Sequence, residues 1–167
     1  MTTYGLSVDS VWRRGAGDLL RAAAILAGKV ESAAIATCRE QGKTVAEAAG
    51  EFARAIETFV WNGEQAATLC SPRRLAADRI LLSEPSGTVA AVTPWNYPAI
   101  LSVRKLVPPL AAGCPMILKA AEESPAAAVA LVEVLAEAGL PNGVVSFLFR
   151  DQSRLLTILA AGRSWRS

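Results

Sequence analysis

Two short polar segments, each directly after an apolar run, hold the side chains in this sequence that are best suited to binding a ligand or taking part in a reaction. The first is Thr93-Pro94-Trp95-Asn96-Tyr97-Pro98, after the apolar run 88–92. The second is Lys119-Ala120-Ala121-Glu122, after the apolar run 116–118. Ligands of open α/β sheets bind beyond the carboxyl ends of the strands. The spacing therefore predicts one site shared by both segments.

Asn96 supplies a neutral amide, which is suited to donating a hydrogen bond to an oxygen that gains negative charge during a reaction. Thr93, Pro94 and Trp95 before it offer a rigid and partly apolar surface. The alternative interpretation is structural, since Asn is a favoured helix N-cap and Trp95 would then belong to the core. This loop alone leaves both interpretations open.

Lys119 and Glu122 are suited to the hydroxyl groups of a ribose, because an ammonium donates hydrogen bonds and a carboxylate accepts them. The alternative is that both are solvated charges near the start of the next helix, where a carboxylate is favoured by the helix dipole. The ligand interpretation rests on the expected proximity of this pair to the loop around Asn96.

Composition excludes several classes of protein. The chain has 167 residues, 52% of them hydrophobic, which suits one globular domain. Its net charge of +2 is not concentrated in a basic run, which argues against nucleic acid as a partner. There is no histidine, and Cys38, Cys70 and Cys114 form no Cys-x-x-Cys pair, so no metal site is expected. No Gly-x-Gly-x-x-Gly or Walker motif is present, so a dinucleotide would be held in another way.

The sequence favours a cytoplasmic protein. Residues 1–10 lack the charged and then apolar layout of a signal peptide. The longest uncharged run, residues 85–103, contains Pro94 and Pro98 and is a poor membrane span. The three widely spaced cysteines fit a reducing compartment.

The first half of the chain predicts a helical hairpin over residues 17–70. Apolar spacing indicates a helix that begins after Asp18 as N-cap and continues to about residue 40. Thr44 and Glu47 match a capping box, so a second helix is expected over residues 45–69. A short strand is expected over residues 79–84.

Residues 87–149 predict a β-α-β-α-β unit, which indicates the α/β class. Continuous apolar strands separated by helices favour a parallel sheet that is covered on both faces. Pro108 and Pro109 are expected to break or kink the first crossover helix. The second crossover helix is expected to begin with Ser124 as N-cap and Pro125 in the first position.

Several motifs in register resemble the NAD(P)-dependent aldehyde dehydrogenase superfamily over about residues 18–149. Besides the two polar segments, the matching motifs are Glu84-Pro85-Ser86-Gly87-Thr88-Val89, Lys105-Leu106-Val107-Pro108-Pro109-Leu110-Ala111-Ala112-Gly113, Glu137-Ala138-Gly139-Leu140-Pro141-Asn142-Gly143-Val144 and the upstream Arg39-Glu40-Gln41-Gly42-Lys43. The sequence around residues 95–98 and 112–115 resembles the succinate-semialdehyde-dehydrogenase-like branch.

The resemblance implies a Rossmann-like domain that binds NAD or NADP. In that family Thr93, Pro94 and Trp95 would line the nicotinamide side, and Lys119 with Glu122 would hold the adenosine ribose. Asn96 would be the side-chain half of an oxyanion hole. A cysteine thiolate attacks the aldehyde and a glutamate activates water, but in the family both lie downstream of this chain's last residue.

The resemblance therefore implies a partial cofactor domain, truncated and inactive by itself. Ala120 and Arg150 depart from the family pattern, and the likeness ends at Arg150. We hypothesise that the divergent tail, residues 150–167, arose by a frameshift. Members of the family are usually homo-oligomers, and the open sheet edge predicts association or aggregation of this chain. The alternative function is a non-catalytic remnant that binds a nucleotide or a protein relative.

Overall fold

The structure is a computed structural model that describes residues 8–69 and 71–148. The predicted tail at residues 150–167, and Phe149 at the end of the predicted third strand, lie outside the described residues. The described part contains helices α1 (Val8–Ala27), α2 (Val30–Gln41), α3 (Val45–Leu69), α4 (Pro98–Ala111) and α5 (Ala126–Glu137), and strands β1 (Arg73–Ala76), β2 (Arg79–Leu81), β3 (Val89–Val92), β4 (Met116–Lys119) and β5 (Val145–Leu148).

The single helix predicted to begin at Asp18 is two helices, and this prediction was wrong in its start and in its continuity. Asp18 lies inside α1, where it is buried and paired with Arg21 rather than capping a helix end. The break falls at Gly28 and Lys29, whose N–H groups donate to the carbonyls three residues earlier at 3.1 and 2.9 Å. Apolar spacing continues across this tight turn, so periodicity alone did not reveal it.

The capping box predicted at the start of α3 is confirmed. The Thr44 N–H donates to Glu47 Oε2 at 2.9 Å, and the Glu47 N–H donates to Thr44 Oγ1 at 3.2 Å. The hydrogen bond from the Thr44 backbone, followed by the bond from its hydroxyl, lowers the pKa of Glu47 below its usual 4.5. The box fixes where α3 begins, with three residues between it and the end of α2.

A small antiparallel hairpin follows α3. The strand predicted at residues 79–84 is shorter than expected, because β2 ends at Leu81. Its partner β1 was not predicted, since Ser71-Pro72 and the charged pair Arg73-Arg74 do not show a strand pattern. All residues of both strands are exposed, so these strands do not alternate between buried and exposed side chains.

The β-α-β-α-β unit is present, and the α/β class is confirmed. Strands β3, β4 and β5 form one parallel sheet in that order. Val92 pairs with Lys119, and Lys119 pairs with Leu148, so the three strands end at the same edge of the sheet. The residues that follow β3 and β4 must therefore begin side by side.

Only one face of this sheet is covered by the described residues, which corrects the expectation of two covered faces. Ala91 and Leu118 are buried, whereas Ala90 and Val92 on the opposite face are exposed and Ile117 is half-buried. The physical reason is the strand order. Both crossovers step in the same direction across the sheet, and right-handed connections then place α4 and α5 on the same side.

The core lies between that sheet face and the helices. Helix α3 packs on α1, α2 and α4, and α5 packs on α1, α2 and α4. The largest fully buried side chains lie on α1, α3, α4, β4 and α5, and they are Leu19, Leu26, Phe52, Phe59, Val103, Leu106, Val107, Met116, Leu118, Leu131, Val134 and Leu135. Within the described ranges, no helix combines the length and apolar character that crossing a bilayer requires.

The structure contradicts a break in the first crossover helix and the N-cap predicted for the second. Pro108 and Pro109 do not break α4, which continues to Ala111. Both lie in the last turn of α4, and because proline has no N–H, the carbonyls of residues 104 and 105 receive no hydrogen bond from them. The side chains of residues 104 and 105 are exposed to solvent. Ser124 does not cap α5; its hydroxyl donates to the carbonyl of Trp95 at 3.3 Å.

Candidate active site

The loops after β3 and β4 leave the sheet together. The Thr93 N–H donates to the carbonyl of Lys119 at 3.0 Å, which extends the strand pairing by one bond into both loops. The loop with Trp95 and Asn96 therefore begins beside the loop with Glu122. The structure thus brings the six predicted site residues to one edge of the sheet.

Side chains of the first loop face different surroundings. Thr93 is buried, and its hydroxyl lies 3.4 Å from that of Ser102 on α4, so this hydroxyl faces the core. Pro94 and Asn96 are exposed, and Trp95 keeps 59% of its surface exposed. The interpretation of Trp95 as a core residue is therefore wrong.

Asn96 does not cap the helix that follows it. The N-cap position of α4 is Tyr97, and no side chain forms a cap hydrogen bond there. The Asn96 amide makes no hydrogen bond to other described residues, whereas its backbone carbonyl is held by Lys43. The loop is thus fixed through its backbone while the amide stays available to a ligand.

Lys119 is not a solvated charge. It is 5% exposed, and its Nζ lies 3.8 Å from Glu122 Oε1, while Glu122 itself is exposed. A distance of 3.8 Å exceeds the usual hydrogen-bond range of about 2.7–3.2 Å. The ammonium therefore keeps donors for another partner, and this donor and acceptor pair fits vicinal hydroxyl groups such as those of a ribose.

A group of residues on α2, α3 and the linker between them holds the first loop, and sequence reasoning missed it. The Gln41 amide donates to the carbonyl of Trp95, and Lys43 Nζ donates to the carbonyl of Asn96 at 3.2 Å. Lys43 also forms an ion pair with Glu51. We call Gln41, Lys43 and Glu51 the loop brace.

Glu51 joins the loop brace to helix α4. Its Oε2 accepts a hydrogen bond from the Ala99 N–H at 3.2 Å, which satisfies an unpaired donor at the start of that helix. Lys43 Nζ also lies 5.1 Å from the centre of the Tyr97 ring. A signal was available in the sequence, because Glu51 falls among Ala48, Phe52 and Ala55 on the apolar face of α3, where an unpaired charge would be costly.

The second crossover helix is held in the same manner. Glu40, near the end of α2, accepts a hydrogen bond from the Ala126 N–H at 3.0 Å. Two carboxylates from the helical hairpin thus meet the N-termini of α4 and α5, where the helix dipoles favour negative charge. These bonds join the helical hairpin to the two crossover helices beside the candidate site.

An open cavity of about 410 Å³ adjoins the loop brace. It is lined by Lys43, Glu47, Gly50, Glu51, Arg54, Asn96 and Tyr97. Its volume is within the range of small-molecule sites, about 300–1,000 Å³. Asn96 is the predicted site residue that this cavity includes.

The structure describes two cysteines, and neither thiol lies among the residues that line the cavity beside Asn96. Cys114 is buried two residues before β4 begins, whereas Lys119 ends that strand. Five residues of extended chain span about 16 Å at ~3.3 Å per residue. Cys38 is half-buried on α2, with its thiol against the carbonyl of Lys43. Neither thiol is placed to attack a carbon held at Asn96.

Comparisons with known proteins match this chain to enzymes. The glutarate-semialdehyde dehydrogenase of Pseudomonas aeruginosa is 45% identical over 111 residues, which are 64% of this chain and 23% of that protein. The NADP(+) succinate-semialdehyde dehydrogenase of Escherichia coli is 44% identical over 109 residues, 63% of this chain and 23% of that protein. The chain thus spans about a quarter of the length of these relatives.

Solved structures agree with the sequence relatives. The succinic semialdehyde dehydrogenase of Streptococcus pyogenes, in complex with NADP+, superposes with a TM-score of 0.83 at 26% identity. That match covers 91% of this chain and 34% of the solved one. The family model described as the aldehyde dehydrogenase family matches residues 10–165, which includes most of the segment after Arg150. The chain therefore belongs to the aldehyde dehydrogenase family.

Proposed function

We propose that this chain forms part of the NAD(P) site and one half of the oxyanion hole of an enzyme that oxidises an aldehyde to a carboxylic acid. The observation that carries the proposal is the common origin of two loops at one sheet edge, one with the exposed Trp95 and Asn96 and the other with Lys119 and Glu122. Membership of the aldehyde dehydrogenase family supports the reaction class.

Each residue has a separate role in this proposal. Lys119 donates hydrogen bonds to the hydroxyls of the adenosine ribose, and Glu122 accepts hydrogen bonds from them. Both groups are available for this, because Lys119 Nζ and Glu122 Oε1 are 3.8 Å apart, too far for a hydrogen bond between them. Pro94 and Trp95, together with the backbone of Thr93, support the nicotinamide. The bound dinucleotide, NAD or NADP, supplies a hydride acceptor.

Asn96 donates a hydrogen bond to the aldehyde oxygen as that oxygen gains negative charge. Such a donor stabilises the transition state only when it is held in place beforehand. The loop brace provides this, because Gln41 and Lys43 hold the carbonyls of Trp95 and Asn96 and leave the Asn96 amide uncommitted.

The aldehyde in this proposal carries a carboxylate at its other end. Two relatives are named for glutarate semialdehyde and succinate semialdehyde, which both have that chemistry. The cavity beside Asn96 is large enough for a molecule of four or five carbons and is lined by polar and charged side chains.

Calorimetric titration with NAD and with NADP tests the cofactor part. Replacing Lys119 by Met is expected to weaken binding about tenfold or more, because a hydrogen bond to a charged group contributes roughly 1.5–3 kcal/mol. The matched control is Lys105→Met, an exposed lysine on α4 outside the candidate site. Equal loss in both variants, or no binding of either cofactor to the unmodified chain, would contradict the proposal.

A second candidate function is binding without catalysis. It is favoured by the position of Cys114 at the opposite end of β4 from Lys119 and by the orientation of Cys38 toward a backbone carbonyl. It predicts cofactor binding and no NADH or NADPH formation from this chain with succinate semialdehyde. NADH or NADPH formation by the unmodified chain that is lost in any one of the variants Cys38→Ser, Cys70→Ser and Cys114→Ser would contradict it.

A further inference from the structure

We propose that Arg54 binds the carboxylate end of the aldehyde substrate and so selects anionic aldehydes. The assignment rests on the proposed function, since it requires that the aldehyde oxygen lie at Asn96. The structural basis is the cavity that Arg54 and Asn96 both line. A substrate with its carbonyl at one of these residues and an anion at the other would occupy that cavity.

Among the residues that the structure describes, Arg54 is the cation of this cavity that has no counter-ion. Lys43, the other cation, is paired with Glu51, and the side chains of that pair are only 14% and 5% exposed. The Arg54 side chain makes no hydrogen bond or ion pair with the residues that the structure describes. Its charge is therefore available to an incoming anion.

The negative groups of the cavity are already bound to neighbouring residues. Glu47 accepts hydrogen bonds from the backbone and hydroxyl of Thr44, at the N-terminus of α3 where the helix dipole favours its charge. Glu51 accepts from Lys43 and from the Ala99 N–H. Arginine suits the remaining task because its planar fork of donors matches the two oxygens of a carboxylate.

Gly50 offers a second way to examine the same cavity. It lies on α3 among the lining residues, and a Cβ built there would meet no atom within 4 Å. The Cβ of a leucine at this position would therefore lie in open space, and the rest of the side chain would extend into the cavity. Leucine is also a better helix former than glycine, so Gly50→Leu should block the cavity without unfolding α3.

The test is a titration of the isotope-labelled chain with glutarate, followed by NMR chemical shifts. Glutaramide, which has the same length without charge, is the comparison ligand. We expect glutarate to shift signals of residues 50–54 and 96–97 and to bind at least about tenfold more tightly than glutaramide. Arg54→Gln should weaken glutarate binding about tenfold, and Gly50→Leu should abolish it. Arg39→Gln, an exposed arginine outside the cavity, is the matched control and should bind as the unmodified chain does.

Glutarate shifts located elsewhere, equal binding of glutaramide, or equal loss in Arg54→Gln and Arg39→Gln would each overturn the assignment. A parallel titration with NADP+ separates this inference from the proposed function. If the chain binds NADP+ normally but binds no glutarate, the role of Arg54 is refuted and the proposed cofactor site is not. Glutarate binding that depends on Arg54, in a chain that binds neither NAD nor NADP, would support the anion site and contradict the proposed cofactor role.

Discussion

Replacing Glu51 by Gln should destabilise this protein strongly, although the two side chains have nearly the same shape. Gln still offers an acceptor to the Ala99 N–H but removes the negative charge beside Lys43. Removal of one partner from a buried ion pair costs about 3–5 kcal/mol, because the other charge is left buried without a partner. Lys43 keeps 14% of its side chain exposed and retains the Asn96 carbonyl as an acceptor. We therefore expect the lower end of the range, about 3 kcal/mol.

Urea unfolding followed by far-UV circular dichroism measures this change. With a denaturant slope of about 2 kcal/mol per molar urea, the midpoint should fall by about 1.5 M. Glu57→Gln is the matched control, because Glu57 is exposed on the same helix and should change stability by less than about 0.5 kcal/mol. Adding Lys43→Met to Glu51→Gln should recover part of the loss, since the buried charge is then removed.

A midpoint for Glu51→Gln equal to that of Glu57→Gln would refute the reasoning. It would mean that the ion pair of Lys43 and Glu51 contributes no net free energy to folding, because the cost of desolvating the two charges equals their attraction. The account of the loop brace as the element that fixes Asn96 would then lose its energetic basis. A loss in Glu51→Gln that Lys43→Met increases rather than relieves would contradict the same account.

Three further outcomes follow from the structure. Thr44→Ala should partly flatten the fall in stability on acidification, because the backbone bond of residue 44 to Glu47 remains and only the hydroxyl bond is lost. The lowered pKa of Glu47 stabilises the fold at pH values above 4.5, and this contribution disappears as the pH falls through the lowered pKa, which urea midpoints at pH 3–7 measure. Phe59→Ala should cost roughly 3–5 kcal/mol by thermal or urea unfolding, because the side chain is fully buried in the core. Arg21→Met should cost about 1–3 kcal/mol, because the buried Asp18 carboxylate loses its partner; an unchanged midpoint would show that solvent replaces the arginine.

Local signals in the sequence predicted the elements that depend on neighbours along the chain. The capping box of Thr44 and Glu47 was confirmed because its bonds span only three residues. Helix α3 was predicted with its observed bounds, and the three strands β3, β4 and β5 were recognised from their continuous apolar runs. The parallel sheet then followed from the alternation of strands and helices.

Predictions that depended on distant partners were the ones that failed. Asp18 and Ser124 are both good N-cap residues, yet each is engaged elsewhere, with Arg21 and with the carbonyl of Trp95. The cap of α5 comes instead from Glu40, 86 residues earlier in the chain. A cap is a hydrogen bond to a free N–H, and the packed fold decides which acceptor reaches it first.

The sequence by itself determined the α/β class, the order of the elements and the placement of four site residues after strand ends, namely Trp95, Asn96, Lys119 and Glu122. These features depend on hydrophobic periodicity and motif spacing, which are properties of neighbouring residues in the sequence. Only the tertiary structure decided which of these groups are buried, which carbonyls the loop brace holds, and that both crossover helices cover one face of the sheet. Burial and hydrogen-bond partners arise from segments far apart in sequence, such as Lys43 against the loop of Asn96. The free energy of these contacts depends on the packed arrangement of the segments, and no local sequence pattern determines it.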